Sequence, residues 1–315
     1  MAASPASLVV GAFSPSVLLR TARRTGALAA RGLAVDEVAV PSSPAQFRSL
    51  ESGELAAALT SPDNLLAYRF LPGNPLGSTR DVRIVSAVDR GLGLALYARP
   101  GTGSVADLRG ARVGVDVAAS GFAFALYEIL GRAGLGRDDY EVVELGSTPQ
   151  RLQALLDGRC AATMLNAGND LRADDAGLVR LADALDAVSP YLGTVLAVQG
   201  EPSPAVRALA DALRETAAAV LSGAARADAV AEAAASGLAG PLAERYADRL
   251  ADPDRGLVAG GVVDHASLAA LVDLRRRHLP GDVAALLAGA LEPAAGLVDD
   301  GLVDDAAGDP AEAGR

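Results

Sequence analysis

The chain has 315 residues, 50% of them hydrophobic, and a formal net charge of −11. That is enough apolar material for two cores of roughly 100 to 150 residues each, and it excludes disorder. The acidic balance, with its one basic run at Arg275, Arg276 and Arg277, excludes a nucleic-acid surface.

Residues 1–20 carry no positive charge ahead of the apolar stretch at 8–12, and the chain's single cysteine, Cys160, is not placed for a lipoprotein anchor. As written, the chain is expected to stay in the cytoplasm, or outside it if the true start lies upstream. No window reaches the roughly 18 to 20 apolar residues of a membrane span, so none is expected. The first strand is read at 8–12, followed by the turn Phe13-Ser14-Pro15-Ser16 and a helix over 17–30 stopped by Gly32. A strand at 35–40, a helix at 44–52, a strand at 56–60 and a helix opened by Ser61-Pro62-Asp63 follow. Two extended apolar runs, 82–88 and 92–98, carry the chain out of the first lobe.

The second lobe opens near Leu108, with a strand at 112–117, the turn Ala118-Ala119-Ser120-Gly121 and a helix at 122–133. Residues 143–172 then repeat the pattern of 38–67 without a gap. An offset of 105 superposes Ser42 on Ser147, Pro44 on Pro149, Leu50 on Leu155, Gly53 on Gly158, Ala57 on Ala162, Asn64 on Asn169 and Leu66 on Leu171. The step from Ser16 to Gly32 recurs from Ser120 to Gly136, so the likeness reaches the opening strand and helix of each half. Two similar α/β lobes with polar turns at the same strand ends predict a cleft that closes on a small molecule. Residues 192–198 form the return crossing, and helices at 205–221, 226–236, 242–250 and 265–278 are expected to cover the first lobe. The division is therefore 1–98 for the first part of lobe one, 99–192 for lobe two, 193–305 for the return crossing and covering helices, and 306–315 for a loose acidic tail.

Several segments together resemble the type II periplasmic solute-binding proteins, in the branch with nitrate-, aliphatic-sulfonate- and thiamine-pyrimidine-precursor-binding members. LESGELAAA at 50–58 is similar to that family's L-x-x-G-x-x-D-x-A segment, with TSPDN at 60–64 on the ligand side. ADLRGARVGV at 106–115 resembles its opening of lobe two, LLDGRCAA at 155–162 its second L-x-x-G-x-x-D-A, and LVDDGLV at 297–303 its ending. The acidic residue of the two repeats is Ala56 and Ala161 here. The resemblance implies an α/β, two-lobed periplasmic-binding-protein-like fold, each lobe a mostly parallel sheet flanked by helices with a hinge between. It also implies a small-molecule ligand and, for an exported chain, an ABC permease as partner.

In such lobes ligands sit beyond the carboxyl ends of the strands, at helix N-termini. The turns there supply the candidate binding residues: Phe13, Ser14, Ser16, Ser42, Ser43, Ser61, Asp63, Asn64, Asp116, Ser120, Gly121, Phe122, Ser147, Asn166 and Asn169, with Tyr191 offering a hydroxyl at the hinge. Each hydroxyl or amide has a competing role as an N-cap. Phe13 and Phe122 either sandwich a flat ligand from opposite sides or pack in the core. With Asp63 and Asp116 at the cleft and no arginine placed there, a neutral or amine-bearing, heteroaromatic ligand is favoured over an anion.

For catalysis the sequence offers little. Lysine is absent, which excludes Schiff-base, pyridoxal-phosphate and phosphate-loop chemistry. One Cys and two His cannot build a Cys/His zinc site or an internal disulfide, so any metal site would be carboxylate-built, and neither metal nor cofactor is expected. His265 and His278 lie away from the turns, and Cys160 sits beside a buried strand. The reading is a non-catalytic solute-binding protein. The alternative is an enzyme on the same scaffold, a lyase, a decarboxylase or a pyrimidine-precursor-type enzyme, using Asp63, Asp116 or Tyr191 for proton transfer.

Overall fold

A computed structural model of the chain describes residues 4–238, 240–279, 281–299 and the backbone of 303–304. The expected tail at 306–315 and residues 300–302 of the LVDDGLV stretch lie outside the described residues. In chain order the elements are β1 (Ala6–Ala12), α1 (Val17–Arg24), β2 (Leu33–Ala39), α2 (Ser43–Ser52), β3 (Ala57–Thr60), α3 (Pro62–Phe70), β4 (Val82–Asp89), β5 (Ala95–Ala98), β6 (Arg112–Val115), α4 (Gly121–Arg132) and β7 (Glu141–Glu144). They continue with α5 (Thr148–Leu156), β8 (Ala162–Leu165), α6 (Asn169–Asp175), β9 (Val179–Asp183), β10 (Thr194–Gln199), α7 (Pro204–Leu221), α8 (Arg226–Ala235), α9 (Pro241–Leu250), β11 (Val263–Asp264) and α10 (His265–His278). The first helix stops earlier than its apolar spacing predicts. Thr25 turns its hydroxyl back onto the Thr21 carbonyl, and Gly26 takes a φ of 83°.

Two five-stranded sheets follow one plan. The order is β2-β1-β3-β10-β4 in lobe one and β7-β6-β8-β5-β9 in lobe two. In each, the first three strands are parallel and the fourth is antiparallel to its neighbours. The offset of 105 carries both ends of β3 onto β8, so the repeat seen in the sequence is a repeat of structure. The fourth strand of each sheet comes from the far side of a crossing. Residues 95–98, assigned from sequence to lobe one, therefore belong to lobe two, because β5 pairs with β8 and β9. The outward crossing lies at 90–94.

Buried aliphatic and aromatic side chains fill the space between sheets and helices, each worth about 1.5–3 kcal/mol relative to exposure. In lobe one Phe47 of α2 stacks on Tyr68 of α3 with ring centroids 4.0 Å apart. α7 and α8 pack on α1 of lobe one. The last two long helices reach lobe two as well. α9 ties to lobe two through Arg249–Asp170 at 2.9 Å and Arg245–Asp174 at 2.7 Å, while α10 packs on both α3 and α4. These helices straddle the two lobes because their arginines meet carboxylates of lobe two, a pairing that apolar spacing does not reveal.

Candidate ligand-binding cleft

The N-terminal ends of helices from both lobes converge on one space of about 1100 Å³, open mouth included. Lobe one contributes Phe13, Ser14 and Ser16 before α1, Ser42 and Ser43 at α2, and Ser61 and Asn64 at α3. Lobe two contributes Asp116 after β6, Ser120, Gly121 and Phe122 at α4, Ser147 at α5 and Asn166 before α6. All of these were singled out from sequence. Their serines also act as caps: Ser16 accepts from the Leu19 N–H at 3.2 Å, Ser61 from Asp63 at 3.3 Å and Ser120 from Ala123 at 3.1 Å. Capping leaves the first N–H groups of each helix for a ligand.

Asp63, Asn169 and Tyr191 do not line this space. Asp63 is fully buried behind it and accepts two bonds from Arg275, from Nε at 2.6 Å and Nη2 at 2.8 Å. Asn169 turns its amide onto the Asn166 carbonyl at 3.1 Å. Tyr191 is 1% exposed, its ring lies against Gly91, and burial pushes its pKa far above the ordinary tyrosine value. The hinge hydroxyl expected from sequence faces protein rather than ligand.

The sequence reading also missed groups that do line the cleft. An apolar wall is built from Val88, Leu92, Leu250 and Leu257, with Tyr246 of α9 beside them. Asp89, at the end of β4, is 3% exposed. It accepts from the Gly91 N–H at 2.8 Å and faces the Thr194 hydroxyl, yet burial raises its pKa to about 6. Arg151 of α5 is 2% exposed, contrary to the expectation that no arginine reaches the cleft. Its guanidinium donates to the Gly146 carbonyl at 2.6 Å, to Thr148 Oγ1 at 3.0 Å and to the Met164 carbonyl at 3.3 Å. Burial pushes its pKa down, and the nearby charge of Asp116 pushes it back up. With Asp63 held by Arg275 and Arg151 in the cleft, the charge argument for a neutral or amine-bearing ligand loses its basis.

The internal repeat could have exposed Arg151, because the offset of 105 sets it on Gln46. That fully buried amide donates to the carbonyls of Gly11 and Leu59, both at 3.2 Å. Leu59 is the repeat partner of Met164, so each lobe ties the same strand end to the same helix position. One lobe uses an amide and the other a cation.

The Cys160 thiol and the His278 imidazole stand elsewhere. Cys160 is buried against Gly114, with its thiol pushed up to about 11 by desolvation. His278 stacks on Phe124 with centroids 6.1 Å apart and reaches Glu128 at 3.2 Å, outside the cleft. Among the described residues no cluster of three or more His, Cys, Asp or Glu is placed to hold a metal ion, and no helix is long and apolar enough to cross a membrane.

No protein-family model matches the chain, and no curated protein matches it. Solved structures do. The alkanesulfonate-binding protein SsuA from Xanthomonas axonopodis pv. citri, bound to MOPS, superposes with a TM-score of 0.70 at 20% identity, over 90% of this chain and 99% of that one. A Candida albicans gene product described as having the generic periplasmic binding protein structural fold gives 0.67 at 14% identity, over 93% and 96%. The desulfurization enzyme DSZB gives 0.58 at 19% identity, over 90% and 92%. Two duplicated α/β lobes, each with an antiparallel fourth strand carried in by a crossing, and these superpositions together give the chain the two-lobed type II periplasmic-binding-protein fold.

Proposed function

We propose that the chain is a non-catalytic solute-binding protein that closes its two lobes on a small molecule and, where it is exported, presents that molecule to an ABC permease. The observation that carries this reading is a single cleft at the junction of the lobes, walled by helix N-termini from both. A ligand touching both walls gains contacts only when they are close together. Its differential affinity for the closed form is what shifts the hinge. The apolar wall at Val88, Leu92, Leu250 and Leu257 suits a molecule with a polar head and an apolar body. The alkanesulfonate-binding neighbour supports the same class of ligand.

The test is a thermal-shift screen of small acids, amines and pyrimidines, since a ligand that binds only the folded state raises the melting temperature by mass action. Ser61→Ala and Ser120→Ala should each weaken binding of any hit roughly tenfold. Each loses a cap worth about 1 kcal/mol, so the ligand-free protein should melt within a few degrees of the parent. Unchanged affinity in both variants overturns the site. Turnover of a hit, seen by product analysis, replaces this reading with the enzyme alternative on the scaffold shared with DSZB.

A further inference from the structure

Taking the solute-binding reading of this cleft as given, we infer that its ligand is a zwitterion whose anionic group sits on Arg151 of lobe two and whose cationic group sits on Asp89 of lobe one. Three charged side chains line the cleft: Asp89, Asp116 and Arg151. Asp116 is only partly buried and accepts from the Ser120 hydroxyl, so water and that hydroxyl already compensate its charge. The other two are buried, at 3% and 2% exposure, and among the described residues neither is in a direct ion pair, the charge of Asp116 reaching Arg151 without a bond between them. A buried charge without a counter-charge is costly unless something brings one. Here two such charges of opposite sign line one cavity from opposite lobes.

Comparison of the two halves shows that the scaffold does not require the charge of Arg151, and that the carboxylate matching Asp89 is paired where Asp89 is not. At the position of Arg151, lobe one ties helix to strand with the neutral amide of Gln46. The guanidinium has five N–H donors, of which three are used on neutral oxygens, leaving two. Asp89 ends the edge strand of its sheet as Asp183 ends that of the other. Asp183 is gripped by Arg180 at 2.6 Å and Arg255 at 2.9 Å, whereas Asp89 meets only the Gly91 N–H and the Thr194 hydroxyl. Its raised pKa is consistent with a carboxylate short of positive charge. A molecule with an acid at one end and an amine at the other neutralises both sites, and it does so only when the lobes are together. An anion alone leaves Asp89 unpaired, and an amine alone leaves Arg151 unpaired.

The probes are ω-aminoalkane-1-sulfonates of two to six carbons, the matching alkane-1-sulfonates and the matching alkylamines, titrated by calorimetry. Sulfonates stay ionised across the working pH range, so the comparison isolates the amine. At one chain length the parent should bind the zwitterion at least tenfold more tightly than either single-charged analogue. Arg151→Gln, which copies the Gln46 arrangement and should melt near the parent, should lose the gain from the sulfonate. Asp89→Asn should lose the gain from the amine while still binding the sulfonate. The inference is overturned if the plain sulfonate binds the parent as tightly as the zwitterion at every length, if Asp89→Asn leaves the preference unchanged, or if no probe binds. In those cases the solute-binding reading still stands or falls by the broader screen. Zwitterion binding that survives Ser147→Trp, which sets a bulky ring into the cleft lining, would instead sink the site itself.

Discussion

Replacing Asp63 by Asn should unfold this protein more readily than any change in the cleft. The carboxylate is fully buried and Arg275 is 3% exposed by side chain, and the two are joined by bonds of 2.6 and 2.8 Å. Arg275 also donates to the Ala119 carbonyl at 3.3 Å, so the pair fastens α3 of lobe one, the turn before α4 of lobe two and α10 at one point. Taking away one partner of a buried pair leaves the other charge uncompensated, at a cost of about 3–5 kcal/mol. Asn keeps one acceptor for the guanidinium, so the lower end, about 3 kcal/mol, applies to Asp63→Asn. For a chain of this size that corresponds to a fall in melting temperature of about 5 °C. The pair Asp63→Leu with Arg275→Met removes both charges at similar volume and should recover most of the loss. Urea unfolding of Asp63→Leu, of Arg275→Met and of the double, read as a cycle, measures the coupling. A single variant within about 1 kcal/mol of the parent, or a double whose cost is the sum of its parts, refutes the reasoning.

Asp89 makes stability depend on pH. Its folded pKa of about 6 lies above the ordinary 3.8, so the folded state holds the proton more tightly. The stability this contributes is complete below about pH 4 and is lost as pH rises through 6. Asp89→Asn, always neutral, should therefore exceed the parent by about 3 kcal/mol at pH 7.5 and by little at pH 4. The groups facing the carboxylate are the Gly91 N–H, the Thr194 hydroxyl and, nearby, Tyr191 and Tyr246. Their raised phenol pKa values keep both rings neutral across this range, and a pH-independent gain in urea melts would count against the assignment. Gly193→Ala would set a methyl group into the backbone of Gly91 where the two crossings touch, and should cost about 1–3 kcal/mol; a variant as stable as the parent in the same melts would show that the crossings give way. Cys160, buried and with its thiol raised to about 11, should resist a thiol reagent at pH 7.5 until urea unfolds the chain, whereas prompt labelling of the native protein would place the sulfur at the surface.

Helix starts were the most legible part of the sequence, because Ser42, Ser61, Ser120 and Ser147 with their neighbouring prolines or glycine encode the caps locally. The same local encoding marks the turns at the cleft. Strand ownership was less legible. The apolar run at 95–98 reads identically whether it pairs in lobe one or in lobe two, since its partners Ala162–Leu165 and Val179–Asp183 are distant in sequence. The span of α10 across both lobes rests on Arg275 with Asp63 of lobe one, 212 residues apart, and on Arg277 with Glu128 of lobe two, and no periodicity reports such pairings. Arg151 was hidden differently. An arginine on an amphipathic helix ordinarily lies along the surface with its charge in water, and only its packing against β8 shows that this one does not.

The Gln46 and Arg151 pair also bears on how such a protein changes its preference. A fold assembled from two like halves holds an internal reference copy of the positions that the repeat spans. Where one half meets a mechanical need with an uncharged group, the other is at liberty to carry a functional one without loosening the framework. New selectivity in this architecture can therefore arise by letting the halves diverge at matched positions, one exchange at a time, while the hinge and both sheets stay as they are.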